Sequence, residues 1–167
     1  MDLRAQGLNA LVTGGTRGIG RAVVSTLLDE GVNVAFCARG ADAVRKTAQE
    51  LSGGAARVIG DAVDVGDAEA MNAWVERSAE AMGGIDIVVS NVSALAIPDT
   101  DENWEASINV DLMGTVRLVK SAMPHLEKSR AGSIVTVSSV SGREVDFASG
   151  PYGTVKTAIV GYTQGLA

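Results

Sequence analysis

Two rhythms of apolar residues run along the chain: short apolar runs, and longer stretches in which an apolar residue recurs every three or four positions. The short runs Ala10–Val12, Val32–Ala38, Arg57–Ile59, Ile85–Ser90 and Ser133–Val137 predict five strands. Ile85–Ser90 is nearly continuous, as expected of a central parallel strand buried on both faces. Ile19, Ala22, Val23 and Leu27 predict a helix after the first strand, stopped by Gly31, and Gly60–Asp67 reads as a turn region. Met71, Trp74, Val75, Ser78 and Met82 mark one face of a second helical stretch, ended by Gly83-Gly84. Trp104, Ile108, Leu112, Leu118 and Val119 place a long helix that should stop or kink near Pro124. Pro151 suits the first position of a last helix, capped by Ser149 or Gly150 and running to Ala167. Strands alternating with helices over short connections give a parallel α/β sheet. No linker, repeat or low-complexity stretch divides it, so residues 1–167 read as one domain.

Composition narrows the functional classes. The chain has 167 residues, enough to bury about two thirds of its unfolded surface, and a 46% hydrophobic share with 20% charged residues is ordinary for a folded domain. Fourteen Lys plus Arg against 20 Asp plus Glu give a net charge of −6, which lacks the electrostatic footprint of a nucleic-acid or anionic-membrane binder. No segment approaches the roughly 18 uncharged residues that span a bilayer, and Met1–Ala10 has no signal-peptide core, so a cytoplasmic location is expected. Cys37 and His125 are the only residues of their kinds, which rules out an internal disulfide and a Cys/His metal cluster. Cys37 reads as a small core residue and His125 as a solvated one. Acid–base chemistry must then use a group other than histidine.

The first strand runs into Thr13-Gly14-Gly15-Thr16-Arg17-Gly18-Ile19-Gly20, directly before a helix. Glycines at 14, 18 and 20 allow a sharp turn, a close approach to a pyrophosphate and tight packing of the helix on the strand. The unpaired N–H groups and positive dipole end of that helix would then face the phosphates. The spacing GxxxGxG differs from the commoner GxGxxG, and alone it also fits an ordinary tight turn. Farther on, Tyr152 and Lys156 are four residues apart and share one face of the last helix. That helix opens just after strand five, at the sheet edge where open α/β folds bind ligands. Ser138 and Ser139 end the strand on the same edge, and Ser139 is the better placed, 13 residues before Tyr152.

Taken together, these motifs closely resemble the short-chain dehydrogenase/reductase family over the whole chain, with a general likeness to its 3-oxoacyl-carrier-protein reductases. The resemblance implies a Rossmann-type, doubly wound parallel sheet with strand order 3-2-1-4-5 and helices on both faces. The glycine run matches the family's TGxxxGxG cofactor motif, with Gly14, Thr16, Arg17, Gly18, Ile19 and Gly20 as cofactor contacts. Asp64-Val65 is similar to the acidic pair that holds adenine, and Asn91 to the asparagine of the strand-four motif. Asn109, Ser139, Tyr152 and Lys156 match the catalytic tetrad. A lysine ammonium near a tyrosine hydroxyl favours its phenolate, so Tyr152 would exchange the proton. Ser139 would hydrogen-bond the substrate oxygen. The resemblance has Lys156 also grip the nicotinamide ribose, and Asn109 position a water linking the lysine to solvent. One departure is Asn91-Val92-Ser93 where the family usually has Asn-Ala-Gly, which puts a side chain where the backbone normally passes the cofactor ribose.

An acidic residue ending strand two would bond the 2′-hydroxyl of NAD, yet that position is Ala38, followed by Arg39. Arg17 and Arg39 without a carboxylate suit a 2′-phosphate, which favours NADP(H) over NAD(H). The expected reaction is hydride transfer between NADP(H) and a small carbonyl or alcohol substrate, with no metal. The rival readings are a non-catalytic nucleotide-binding or scaffold protein that keeps the fold, an inactive reductase fragment, and a methyltransferase, against which Ala38 speaks. The resemblance also implies a homodimer or homotetramer through the fourth and fifth helices, the one ending near Pro124 and the one opening at Pro151. Family members continue past this last helix with further strands and a substrate lid. The chain therefore reads as a fragment or as the ordered part of a longer protein, with substrate choice lying partly in the loops 94–101 and 143–149.

Overall fold

The computed structural model describes residues 4–144 and 146–167. Val145, inside the 143–149 loop, and residues 1–3 lie outside that description. Five parallel strands form one sheet in the order β3-β2-β1-β4-β5, as the resemblance implied. They are β1 (Asn9–Thr13), β2 (Asn33–Ala38), β3 (Val58–Ala62), β4 (Ile87–Ser90) and β5 (Ser133–Thr136). Helices α1 (Gly18–Asp29), α2 (Ala41–Leu51) and α3 (Ala68–Met82) follow the first three strands.

Side chains alternate across each strand, so neighbours such as Leu11 and Val12 enter different cores. On one face Leu11, Cys37 and Val88 pack with Met71, Trp74 and Val75 of α3 and with Leu118 and Ala122. On the other, Val12, Phe36 and Val89 pack with Val24 of α1 and Val44 of α2. Both faces of the central strands are covered, which is why Ile85–Ser90 is apolar almost throughout. β5 lies at one edge, and Val135 on it is 48% exposed.

Three sequence expectations need correction. Gly60 was expected to open a turn, but β3 continues through it to Ala62, pairing Gly60 with Phe36. A Cβ at Gly60 would come within 2.8 Å of Val44 and 2.9 Å of Phe36, so the glycine clears room for α2, a helix the apolar periodicity did not single out. The long helix is three pieces: α4 (Asp101–Ala106), a wider π-type stretch Ser107–Met113, and α5 (Gly114–Leu126), which carries Pro124 inside it. The wider winding shows where the Gly114 N–H bonds the Asn109 carbonyl, five residues back. The last helix, α6 (Pro151–Gln164), stops at Gly165 instead of running to Ala167. Gly150 takes the cap position of α6, and Pro151 is buried in its first turn.

Candidate active site

The glycine loop is shaped by its neighbours. Gly14, at φ +74°, and Gly15 both donate their N–H groups to the Cys37 carbonyl, at 2.8 and 3.2 Å. A Cβ on Gly20 would overlap the Gly14 carbonyl oxygen and lie 2.5 Å from Asn91 Nδ2, so only glycine lets α1 start this close to β1. Gly18, at φ +54°, faces open space. No side chain caps the start of α1 and no acidic residue sits in its first turn, leaving its N–H groups and positive dipole end available to an anion. Thr16 is half-buried while Arg17 and Ile19 stand exposed beside this turn. These features fit a nucleotide pyrophosphate.

Arg39 follows the end of β2 and is also exposed. Among the described residues neither the Arg17 nor the Arg39 guanidinium has an ion pair or hydrogen bond. Asp64 bends its own loop by accepting the Gly66 N–H at 2.9 Å, and Val65 beside it is buried. Asn91 is engaged structurally: its Nδ2 donates to the Thr13 carbonyl at 3.0 Å, and its N–H donates to Thr13 Oγ1. It ties the ends of β1 and β4 together behind the glycine loop. Ser93 accepts the Leu95 N–H through its hydroxyl, closing a tight turn at the site of the family departure.

Burial has pushed the Cys37 thiol up to about 12, which keeps it protonated and inert beneath the loop, as a core cysteine should be. His125 departs from its solvated reading. It is half-buried and its Nε2 lies 3.2 Å from Glu76, far from the glycine loop in sequence and bridging α5 to α3.

At the end of β5 the two serines divide their tasks. Ser138 Oγ donates to the Lys156 carbonyl at 2.8 Å and so anchors α6 to the strand. Ser139 is in extended backbone at the start of a short turn, Val140–Gly142, where its Oγ accepts the Ser141 N–H at 3.2 Å. Ser141 in turn donates its hydroxyl to Asp146 at 2.7 Å. The turn packs tightly on α6: a Cβ on Gly142 would lie 2.8 Å from the Lys156 main chain, and one on Gly153 would lie 2.7 Å from the Ala148 carbonyl. Tyr152, half-buried in the first turn of α6, sits with its ring centroid 5.6 Å from Lys156 Nζ. Lys156 is 2% exposed, and Nζ also donates to the Val137 carbonyl at 3.2 Å.

The fourth expected member of the site is elsewhere. Asn109 is exposed, and its Oδ1 accepts from Arg117 Nη1 at 2.9 Å. Two residues on, Asp111 is 1% exposed, and its Oδ1 lies 3.2 Å from Lys156 Nζ. That oxygen accepts no well-directed hydrogen bond, so the contact is one of charge. Asp111 Oδ2 accepts the Ala94 N–H at 2.8 Å, and the Asp111 carbonyl accepts from Thr115 Oγ1, which also contacts Ser90 Oγ at 2.9 Å. The carboxylate that faces Lys156 is thus that of Asp111, while the Asn109 side chain is held by Arg117. A signal was present in the sequence, since Asp111 lies seven residues before Leu118 and eleven before Ala122, on the buried face of the helix, whereas Asn109 does not share that face. Arg117 was also missed. Its Nη1 reaches the carbonyls of Gly66 and Asn109, at 3.2 and 3.1 Å, tying the Asp64–Gly66 loop to the π-type stretch.

The family model described as short chain dehydrogenase matches residues 8–167. The chain belongs to this family. It is 42% identical to an isoepoxydon dehydrogenase of Penicillium expansum over 97% of its own length and 64% of that protein's. It is 36% identical to a dehydrogenase/reductase SDR family member 4 of Sus scrofa, over 95% of this chain and 58% of that one. The chain thus spans less than two thirds of the length of these relatives. A short chain dehydrogenase of Burkholderia cenocepacia solved with NADP superposes with a TM-score of 0.91 at 33% identity, covering 98% of this chain and 68% of that one. A carveol dehydrogenase of Mycobacterium avium solved with NAD gives a TM-score of 0.90 at 29% identity, over 98% of this chain and 66% of the other. Among the described residues no helix is long and apolar enough to cross a membrane.

Proposed function

We propose that residues 1–167 hold the cofactor site and the proton-transfer residues of an oxidoreductase that uses NADP(H) in preference to NAD(H) to interconvert a small carbonyl compound and its alcohol. The observation that carries this reading is Lys156 Nζ, held 5.6 Å from the Tyr152 ring on α6 at the end of β5. The dehydrogenase names of the relatives support the reaction class, and the neighbours solved with NADP and with NAD support a nicotinamide cofactor.

When bound, the cofactor supplies or takes up the hydride. The main-chain N–H groups at the start of α1 bind its pyrophosphate, and Arg17 with Arg39 binds a 2′-phosphate, for which guanidinium forks are the better match than a single ammonium. Asp64 and Val65 flank the adenine, and Asn91 holds the loop ends that form the floor. Tyr152 Oη gives its proton to the substrate oxygen during reduction and takes it back during oxidation. The Lys156 ammonium attracts the negative charge that builds on that hydroxyl, and Ser139 Oγ hydrogen-bonds the same substrate oxygen. We place this protein in the cytoplasm as a homo-oligomer built through the α4–α5 and α6 helices.

Loss of NADPH absorbance with a panel of ketones tests the reading. Tyr152→Phe should cut turnover about 100-fold while leaving NADPH affinity unchanged. Retention of more than about a tenth of the rate would refute the proton-transfer role. NADPH should bind at least about tenfold more tightly than NADH, a gap of about 1.4 kcal/mol, and Ala38→Asp with Arg39→Leu should reverse the order. Equal affinities in the unaltered protein would refute the cofactor preference.

A further inference from the structure

We infer that Asp111 cancels the charge of Lys156 and thereby sets the relative affinity of the site for the oxidised and reduced forms of its nicotinamide cofactor. This rests on the cofactor assignment above. Resemblance to the family implied an asparagine as the fourth member of the site, a neutral side chain. The chain instead presents a carboxylate to the lysine, 3.2 Å from its ammonium.

Both groups are almost wholly out of water, at 1% and 2% exposure, so solvent and salt screen neither charge effectively. The carboxylate is also fixed in place. Ala94 N–H holds its Oδ2 from the loop after β4, and Thr115 holds its main-chain carbonyl from α5. Lys156 is fixed by the Val137 carbonyl. No other acid pairs with Lys156 among the described residues.

The oxidised nicotinamide ring carries a positive charge and the reduced ring carries none. Beside a lone buried ammonium the oxidised ring would be repelled, and the repulsion would act over a longer range than in water. Beside a neutral Lys156–Asp111 pair it is not. Asp111 therefore shifts binding toward the oxidised form without itself touching the reacting atoms. It is a positioning and charge-setting residue acting through Lys156.

The test is the ratio of dissociation constants, NADP+ over NADPH, measured by titration calorimetry on the full chain without any substrate. General damage to the site weakens both forms and leaves the ratio unmoved, whereas loss of a charge moves it. Asp111→Asn should raise the ratio by about fivefold or more. Asp111→Glu, which keeps the charge, should stay within about twofold of the unaltered protein. Lys156→Gln strips the ammonium and leaves the carboxylate, so it should move the ratio the opposite way, and it carries the test alone if Asp111→Asn does not fold. An unchanged ratio in Asp111→Asn, or in Lys156→Gln where that variant stands in for it, would overturn the inference, as would a rise in Asp111→Glu equal to that in Asp111→Asn. In any of those outcomes the cofactor assignment stands. If the unaltered protein binds neither form, the proposed function falls and this inference falls with it.

Discussion

Removing either half of the Asp111–Lys156 pair should destabilise the fold sharply, and removing both should cost far less than the sum. At 3.2 Å and an effective dielectric constant of about 20, two unit charges attract by about 5 kcal/mol. Desolvation offsets much of this in the intact pair, but a single deletion leaves the other charge buried without a counter-ion, which costs about 3–5 kcal/mol. Lys156→Met strands the Asp111 carboxylate, whose Oδ1 has no other partner. In a domain of this size each kcal/mol shifts Tm by roughly 2–4 °C, so the single variant should melt about 6–20 °C lower. The double variant Asp111→Asn with Lys156→Met removes both charges and should recover at least about 2 kcal/mol relative to additivity. Urea unfolding followed by tryptophan fluorescence, from Trp74 in the core cluster and Trp104 on α4, and by far-ultraviolet circular dichroism gives all four corners of the cycle. Additive costs within about 0.5 kcal/mol would show that the two charges are not coupled, and the electrostatic account of the site would be wrong.

Three further outcomes are expected. Gly20→Ala should weaken NADPH binding and lower stability by about 1–3 kcal/mol, because its Cβ meets the Gly14 carbonyl and Asn91; unchanged calorimetric affinity and Tm would contradict the packing described for the loop. Cys37 should resist Ellman's reagent until the protein unfolds. Since burial raises its thiol from 9.0 to about 12, the unfolded chain alone ionises between those values, so stability should fall by about 1.4 kcal/mol per pH unit there, more steeply than in Cys37→Ala. Urea midpoints of the two proteins across that range would check this, and parallel curves would refute it. Ser138→Ala should lower Tm through loss of its bond to the Lys156 carbonyl, whereas Ser139→Ala should lower turnover with little change in Tm; reversed effects would exchange their roles.

What the sequence made legible was set by local physics. The glycine loop, the apolar runs of the strands and the Tyr152–Lys156 spacing are each written within a few residues, whereas the strand order and the joint meaning of these motifs came only with the family resemblance. Gly60 was misread for the opposite reason. A glycine in a strand looks like a turn until the helix lying on it is known, and α2 has only Val44 and Thr47 fully buried, too sparse an inward face to announce itself.

Asn109 and Asp111 pose a harder case. Helical periodicity puts Asp111 on the buried face with Leu118 and Ala122, and a charged residue there should have drawn notice. The family resemblance implies an asparagine in this stretch, and Asn109 stands two residues before Asp111. In the structure the stretch is wound wider, from Ser107 to Met113, and such a stretch rotates successive side chains away from the ordinary helical register. Arg117 fills the side of the helix that Asn109 occupies, taking its Oδ1 and main-chain carbonyl together with the Gly66 carbonyl. Asn109 therefore helps Arg117 hold the Asp64–Gly66 loop to the π-type stretch, and Asp111 is the residue of the segment that pairs with Lys156. The same seven residues thus connect to the Asp64–Gly66 loop through Arg117 and to Lys156 through Asp111, so a substitution at either anchor acts on a shared element.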